Sequence, residues 1–446
     1  MTDPVLRATG ALASLDAAAR QAITDRTLSG DSLVRQRVTA IIERVRSGGD
    51  GALREMAREF DGVNLDSLEV PRALWMDALD ALDPELRRAL ERAARNIAAV
   101  HDAFVPCAIE TSPEPGIVVG RRPDPLGRVG IYAPGGRAAY PSSLLMGAVP
   151  ARVAGVGETV VCSPPGASGL PSRVVLAAAA LAGVDRLFAV GGAGAIAAMA
   201  LGTESIATVD RIVGPGNAYV AEAKLQLVSR VAIDAPAGPS ELLVLADDSA
   251  DVATIAREIV AQAEHDPDAA VIAVIAGRDA PRVATETMTR LAEEIETAPR
   301  ASIVREALQS RGAILTAPSL DQAIAFANEW AAEHLLLLVA VAEQQATLDA
   351  LRNAGTVFVG ASSSVAFGDY MTGANHVLPT GGAARSYSGL STLDFVRWTT
   401  WQHVSPAAAA GLADDVGCFA DGEGLPGHAA AARAWNTKTA SHTASR

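Results

Sequence analysis

Residues 127–165 read GRVGIYAPGGRAAYPSSLLMGAVPARVAGVGETVVCSPP, two short apolar runs separated by a segment with helical patterning. GRVGIYAP and ETVVCSPP have the length of buried strands, and Gly or Pro stands at nearly every junction. Because the same alternation continues to about residue 238, it indicates a parallel sheet covered by helices. We therefore predict a doubly wound α/β domain over residues 132–238.

A second alternating series follows, with ELLVLAD, AAVIAVIAG and GAILTA as its strand-like runs. It predicts a second Rossmann-like parallel-sheet domain. Upstream of about residue 110 the pattern is mainly helical, and we expect these helices to share the core of the second domain. The predicted scheme is an N-terminal helical segment, a discontinuous α/β domain, the first α/β domain inserted within it and a C-terminal segment: 1–27, 28–131 with 239–390, 132–238, and 391–446.

Composition and charge limit the possible partners. The 446 residues are 49% apolar and carry a formal charge of −14, which disfavours nucleic acid and anionic membranes as partners. No basic N-terminal region precedes an apolar stretch and no apolar run reaches the ~18 residues of a membrane span, so we predict a cytoplasmic protein. Cys107, Cys162 and Cys418 lie far apart without CxxC spacing, which indicates structural thiols.

The stretch AQAEHDPDAA, residues 261–270, places polar side chains on a helix face that should be buried. At about 100° per residue, Gln262 falls within roughly 20° of Ile255, and His265 lies at the rim of the same face. Pro267 is expected to end this helix, because the residue before a proline is pushed out of the helical region.

Other polar residues stand at the ends of elements. Glu333 precedes His334 at the end of a predicted helix, Asp369 lies in a predicted Gly-bounded loop, and Glu423 and His428 lie in an exposed Gly-rich tail. Zn²⁺ accepts imidazole, carboxylate and amide ligands, so His265, Asp369 and His428 with Gln262 could form a site. No compact motif such as HExxH is present, and buried or surface histidines without a ligand role remain the alternative.

Two glycine-rich turns could hold a cofactor. In VGGAGAIAAM, Gly192, Gly194 and Ala197 match a GxGxxA fingerprint, although close helix packing is the alternative because no acid ends a following strand at the expected place. VGPGNAYV places Asn217 at a helix start, where it could contact a polar ligand or serve only as a cap.

Seven motifs in order carry a family resemblance: YAPGG with YPSS, GPGNAYV, DAPAGPSE, QAEHDP, AEHL, GDYMTGANHVLPTGG and EGLPGH. From about residue 30 to 435 the chain resembles histidinol dehydrogenase. The resemblance implies a four-electron oxidation of L-histidinol to L-histidine through an aldehyde-level intermediate, with two NAD⁺ used in sequence and one Zn²⁺ per site. It also implies a homodimer in which the C-terminal segment crosses to the partner's active site.

The resemblance also implies residue roles. The zinc ligands would be Gln262, His265, Asp369 and His428, and the cofactor contacts Tyr132, Gly194 and Asn217. Glu333 and His334 would be the acid/base pair: an imidazole titrating near neutrality suits removal of the hydroxyl proton, and Glu333 can activate water. Substrate would contact Ser240 and Glu423 together with His334 and the zinc ligands.

One position departs from the family pattern: Gly194 stands where the family usually has Gln. Two alternatives also remain open. Relatives that oxidise other small polar alcohols share much of the scaffold, although the intact EGLPGH favours histidinol. A catalytically silent nucleotide-binding regulatory module is disfavoured, because the acid/base pair and all four ligand positions are present.

Overall fold

The computed structural model describes residues 5–26, 32–135 and 139–443. The chain forms two compact units, Met1–Phe104 with Leu126–Phe395 and Val105–Pro125 with Val396–Arg446. The strands are β1 (Ala8–Ala11), β2 (Ile109–Thr111), β3 (Ile117–Pro125), β4 (Arg128–Tyr132), β5 (Glu158–Ser163), β6 (Arg186–Ala189), β7 (Arg211–Val213), β8 (Ala232–Ile233), β9 (Glu241–Asp247), β10 (Ala270–Ala276), β11 (Gly312–Ala317), β12 (His334–Leu338), β13 (Thr356–Val359) and β14 (Val396–Val404). The α-helices are α1 (Ala17–Thr24), α2 (Ser32–Met56), α3 (Arg72–Asp80), α4 (Pro84–Asp102), α5 (Pro141–Val153), α6 (Arg173–Ala182), α7 (Gly192–Leu201), α8 (Ala218–Leu227), α9 (Val252–Ala263), α10 (Ala280–Thr297), α11 (Ala301–Arg311), α12 (Leu320–Trp330), α13 (Val341–Ala350), α14 (Val365–Tyr370), α15 (Pro406–Gly422) and α16 (Pro426–Thr443).

The first predicted sheet has five strands in the order β6-β5-β4-β7-β8, and its neighbouring strands are parallel. The chain starts in the centre, moves to one edge and then returns to the other side of β4, which is the doubly wound arrangement. The predicted Rossmann-like sheet is confirmed. It begins at Arg128, a few residues before the expected domain boundary.

The second sheet repeats this topology with six strands in the order β1-β11-β10-β9-β12-β13, again parallel. Its four central strands, β11, β10, β9 and β12, are almost completely buried and mainly apolar, as expected for strands covered by helices on both faces, whereas the edge strand β1 is mostly exposed. The N-terminal segment, which we predicted to be helical, contributes the edge strand β1 as well as α1.

Helix α2 packs elsewhere than the sequence predicted. Its apolar residues Val38, Ile42 and Leu53 join the core of the five-stranded sheet and contact α7 and α8, rather than the second sheet. The small residues of α7 allow this close approach, because glycine has no side chain and alanine only a methyl group, which leaves room for the side chains of α2.

The second compact unit has a three-stranded antiparallel sheet in the order β14-β3-β2, followed by the hairpin of α15 and α16. β14 pairs along the whole of β3, so residues 105–125 fold with the C-terminal segment. In the described part of the chain, no helix is both long enough and apolar enough to cross a membrane.

Candidate active site

Glu333 and His334 lie at the start of a strand, not at the end of a helix as we predicted. α12 ends at Trp330, and Ala331 adopts a φ of 56°, the only positive φ of a non-glycine residue in the described ranges. A left-handed residue ends a helix, so the chain turns there and His334 opens β12. Both acid/base candidates are buried.

The backbone of Glu241, the first residue of β9, holds both side chains. Its N–H donates to Glu333 Oε2 at 2.7 Å, and its carbonyl lies 3.1 Å from His334 Nδ1. His334 Nδ1 is also 3.3 Å from Glu333 Oε2, so this nitrogen faces two acceptors and must carry a proton. Nε2 lies 3.5 Å from Asp369 Oδ1 without hydrogen-bond geometry.

The charges around His334 differ from what its proposed role requires. Burial lowers its pKa, but the carboxylates of Glu333 and Asp369 outweigh burial and raise the pKa to about 10. The imidazole is therefore protonated at neutral pH when nothing offsets these carboxylates, whereas the sequence predicted a base that titrates near neutrality. A cation held by Asp369 would weaken that attraction and lower the pKa.

Gln262 and His265 lie at the C-terminal end of α9. Since α9 runs antiparallel to the strands, its end lies at the edge of the second sheet where β9 and β12 begin. Gln262 is 2% exposed, and neither its Nε2 nor His265 Nδ1 has a hydrogen-bond partner among the described residues. The helix ends at Ala263, before Asp266, the residue that Pro267 keeps out of the helical region.

Asp369 lies within the short helix α14, not in the predicted loop. Burial raises its pKa, but the histidines nearby, His334 first, then His376 and His265, outweigh burial and lower it. His376 Nδ1 is 2.9 Å from the Asp369 carbonyl, and His376 Nε2 is 3.4 Å from the hydroxyl of Ser143 at the start of α5. The strand starts of the second sheet therefore face the strand ends of the first.

The predicted zinc ligands are only partly assembled within the first unit. In the described ranges, no group of three His, Cys, Asp or Glu side chains is arranged to hold a metal ion. The first unit supplies His265, whose Nδ1 is unpartnered, together with the carboxylate of Asp369 and the amide of Gln262. Imidazole, carboxylate and amide ligands suit a divalent cation. His428 and the predicted substrate contact Glu423 are exposed on the second unit, at the start of α16 and the end of α15.

Ser240, the other predicted substrate contact, immediately precedes β9. Its carbonyl accepts a hydrogen bond of 3.0 Å from the N–H of Ala270, the first residue of β10. Ser240 is partly exposed at the same edge of the sheet as Glu241 and His334.

Tyr132 and Asn217 flank the point where the strand order of the first sheet reverses. Tyr132 ends β4, and its buried hydroxyl accepts a 3.0 Å hydrogen bond from the N–H of Gly192. Asn217 follows β7 and caps α8, with Oδ1 3.1 Å from the N–H of Tyr219 and 3.2 Å from that of Val220. Ligands of doubly wound sheets bind at this switch point.

Gly194 lies inside α7 and faces α2. A Cβ at this position would lie 3.3 Å from Met56 Sδ and 3.4 Å from Leu53 Cδ2. These contacts support the helix-packing interpretation of Gly194.

A cavity of about 400 Å³ lies beside the GPGNAYV turn and is lined by several residues of that turn, although not by Asn217, and by residues 236–238, residues 380–383 and Arg26. None of the predicted zinc ligands or acid/base residues is among its lining residues.

A family model for histidinol dehydrogenase matches residues 24–435. The chain belongs to the histidinol dehydrogenase family. The histidinol dehydrogenase of Natronomonas pharaonis is 47% identical over 420 residues, 94% of this chain and 97% of that protein. That of Methanosarcina barkeri is 45% identical over 406 residues, 91% of this chain and 92% of that protein. A crystal structure of histidinol dehydrogenase from Elizabethkingia anophelis is 32% identical and superimposes with a TM-score of 0.92, covering 98% of this chain and 99% of that one.

Membership of the histidinol dehydrogenase family makes this chain an oxidoreductase of histidine biosynthesis. Sequence reasoning missed two contributors to the site: Glu241 and Arg26. Glu241 could have been noticed within the GPSE motif, whereas nothing around Arg26 in the sequence distinguishes it from a surface arginine.

Proposed function

We propose that the protein oxidises L-histidinol to L-histidine by way of histidinal, in a zinc-dependent reaction that passes one hydride to each of two NAD⁺ molecules. The observation that carries this proposal is the buried pair Glu333 and His334, held by the backbone of Glu241 opposite Asp369. Two titratable groups with different partners in one cleft suit a reaction that must move protons twice.

His334 is the proposed base for the alcohol proton. Its Nδ1 is committed to the carbonyl of Glu241 and the carboxylate of Glu333, so Nε2 is the nitrogen that would accept a proton once a cation held by Asp369 has lowered the pKa of the imidazole. As Nε2 takes the hydroxyl proton, the carbon–hydrogen bonding pair leaves as hydride and the carbonyl of histidinal forms. Glu333 stabilises the imidazolium that results, because its Oε2 lies beside Nδ1.

Glu333 is the proposed activator of water for the second oxidation. Its Oε2 accepts from the N–H of Glu241, so Oε1 is the oxygen that can take a proton from a water molecule. Water adds to the aldehyde and gives a hydrate, which loses a hydride to the second NAD⁺ and two protons to become the carboxylate of histidine. No thiol is needed, because the hydrate already carries a transferable hydride.

Gln262, His265 and Asp369, with His428, would hold the zinc ion. When bound, zinc fixes the amino and imidazole nitrogens of the substrate beside the acid/base pair, a positional contribution to catalysis. Ser240, at the start of β9, and Glu423 are the proposed further contacts of the substrate.

The nicotinamide cofactor is proposed to bind at the strand ends of the first sheet. Tyr132 and Asn217 support this placement because they flank its switch point, and α5 brings the same edge to His376. Gly194 remains the weakest of the three proposed contacts, since its Cβ direction is toward α2.

A homodimer with shared sites is the proposed assembly. The first unit provides three of the four proposed ligands, and His428 is exposed on the second unit together with large apolar side chains such as Trp401, Phe419 and Leu425. A surface of this kind is typical of an interface. The cytoplasmic location and the absence of nucleic-acid and membrane partners remain predictions from the sequence.

The test is stoichiometric. With limiting L-histidinol and excess NAD⁺, two NADH should form per histidinol consumed. A yield of one with free aldehyde accumulating would refute the proposal. Activity with other amino alcohols but not histidinol would favour a related dehydrogenase, and no NADH formation from any of them would favour a silent module.

The roles of the pair have their own test. His334→Asn should slow the first hydride transfer by roughly 10² to 10⁴-fold, and Glu333→Gln should slow the oxidation of supplied histidinal most. Rates near those of the wild type in both variants would exclude the acid/base assignment.

A further inference from the structure

Arg26 is a buried arginine that contacts the start of β9 and the end of α12, the two elements beside Glu333 and His334. Its Nε donates to Glu241 Oε1 at 2.7 Å, and its Nη2 donates to the Trp330 carbonyl at 2.6 Å. The side chains of Arg26 and Glu241 are each only 3% exposed. The guanidinium also stacks on the Trp330 ring, 3.7 Å from its centroid.

Each of these contacts reaches a segment that positions the pair. Glu241 supplies the backbone N–H for Glu333 and the carbonyl for His334. Trp330 is followed by the left-handed Ala331, from which the chain enters Glu333.

The carboxylate of Glu241 is held from a second side as well. Its Oε1 accepts a 2.8 Å hydrogen bond from the N–H of Gly381, in the loop that follows His376. Arg26 therefore connects the N-terminal segment, the start of β9, the turn before β12 and, through Glu241, this loop.

We propose that Arg26 is a positioning residue for the reaction, which sets the separation between the start of β9 and the turn after α12 and thereby the placement of Glu333 and His334. The inference rests on the proposed acid/base roles of those two residues. A planar guanidinium with a fixed fork can donate in two directions at once, whereas the ammonium of lysine on its flexible stem cannot reproduce that geometry. The turn after α12 needs such a contact, because Ala331 in the left-handed region is strained and relaxes unless its surroundings hold it.

The experiment compares three variants with a matched control. Arg26→Met removes both contacts, and Arg26→Met/Glu241→Gln also removes the charge that would otherwise be left buried and unpaired. Arg26→Lys keeps a charge for Glu241. The control is Arg20→Met, because Arg20 joins the same N-terminal segment to α12 through Glu329 at the surface, away from Glu241.

The measurement is the single-turnover rate constant of hydride transfer with enzyme in excess, alongside metal content and the KM for histidinol. At saturating enzyme, a loss of correctly folded enzyme leaves the rate constant of a single turnover unchanged and lowers its amplitude only when the remaining folded enzyme no longer exceeds the substrate, so a merely structural role does not move the rate constant. We expect the double variant to be roughly 10 to 10²-fold slower, since small misplacements of reacting groups have effects of that size. Arg26→Lys should lie between it and the wild type, and Arg20→Met should match the wild type.

The proposal is overturned if the double variant keeps the wild-type rate constant, or if only its amplitude falls. If the Met variants fail to fold, Arg26→Lys alone decides. A wild-type rate constant would overturn the positioning role of Arg26, and a smaller rate constant with unchanged metal content would support it. His334→Asn and Glu333→Gln separate this failure from that of the proposed function. If those two variants are slow and the Arg26 variants are not, only the proposed positioning role of Arg26 is wrong.

Discussion

His101 predicts a pH dependence of stability that is unrelated to catalysis. It lies in the last turn of α4, is 1% exposed, and neither of its ring nitrogens has a hydrogen-bond partner among the described residues. Its ring packs edge-on against Phe104, with centroids 5.8 Å apart. Burial without a partner lowers its pKa from 6.5 to about 4, because the charged imidazolium cannot be solvated there.

The direction of this pH dependence follows from the number of protons that the folded and the unfolded chain bind. Between pH 6.5 and about 4 the unfolded chain binds a proton at His101 that the folded chain does not, so stability falls as the pH drops and levels off below about 4. A shift of this size corresponds to about 2 kcal/mol lost between pH 7.5 and pH 5, and to about 3 kcal/mol in full.

The assay is denaturant unfolding of the wild type and His101→Leu at pH 7.5 and pH 5. Leucine fills a similar volume and has no polar atom to leave unsatisfied, so the variant should be about as stable as the wild type at pH 7.5. At pH 5 it should be the more stable by about 2 kcal/mol.

His403→Gln is the control, because His403 is exposed on β14 and its replacement should leave the wild-type pH dependence intact. If the free energy of unfolding of the wild type and of His101→Leu fell by the same amount between pH 7.5 and pH 5, His101 would not be the cause of the lower stability at acidic pH.

Three further predictions concern the metal, the dimer and the cofactor. Prolonged chelation should abolish activity and added Zn²⁺ should restore it; full activity in a protein shown to be metal-free by elemental analysis would exclude the ligand set. Inactive His265→Ala and His428→Ala proteins should regain activity after subunit exchange, since one site of each hybrid is then wild type; no recovery despite exchange shown by mass spectrometry would place His428 in its own subunit's site. For Gly194, both Ala and Gln variants should fold, because the flexible end of Met56 can yield to the added Cβ. If the amide contacts the cofactor, Gly194→Gln should have a KM for NAD⁺ about two- to tenfold lower than Gly194→Ala; equal values would mean that position 194 serves packing alone.

The sequence by itself determined the two parallel sheets, because buried strands and Gly or Pro junctions are local patterns that survive without knowledge of contacts. It also placed Gln262 on a buried helix face, where the structure finds it 2% exposed, since helical periodicity alone fixes that direction. The ordered motifs were sufficient to identify the family, and its model matches residues 24–435.

Only the tertiary structure decided how these parts meet. Amphipathic patterning gives α2 an apolar face but does not say which sheet that face will cover. The strand position of His334 depends on the left-handed Ala331, a conformation that alanine does not adopt by its own preference. Arg26 and Glu241 are 215 residues apart in sequence, and their pairing exists because folding brings the N-terminal segment beneath β9 and excludes water from both charges. Contacts of this range are selected by the global packing of the chain, and no local pattern encodes them.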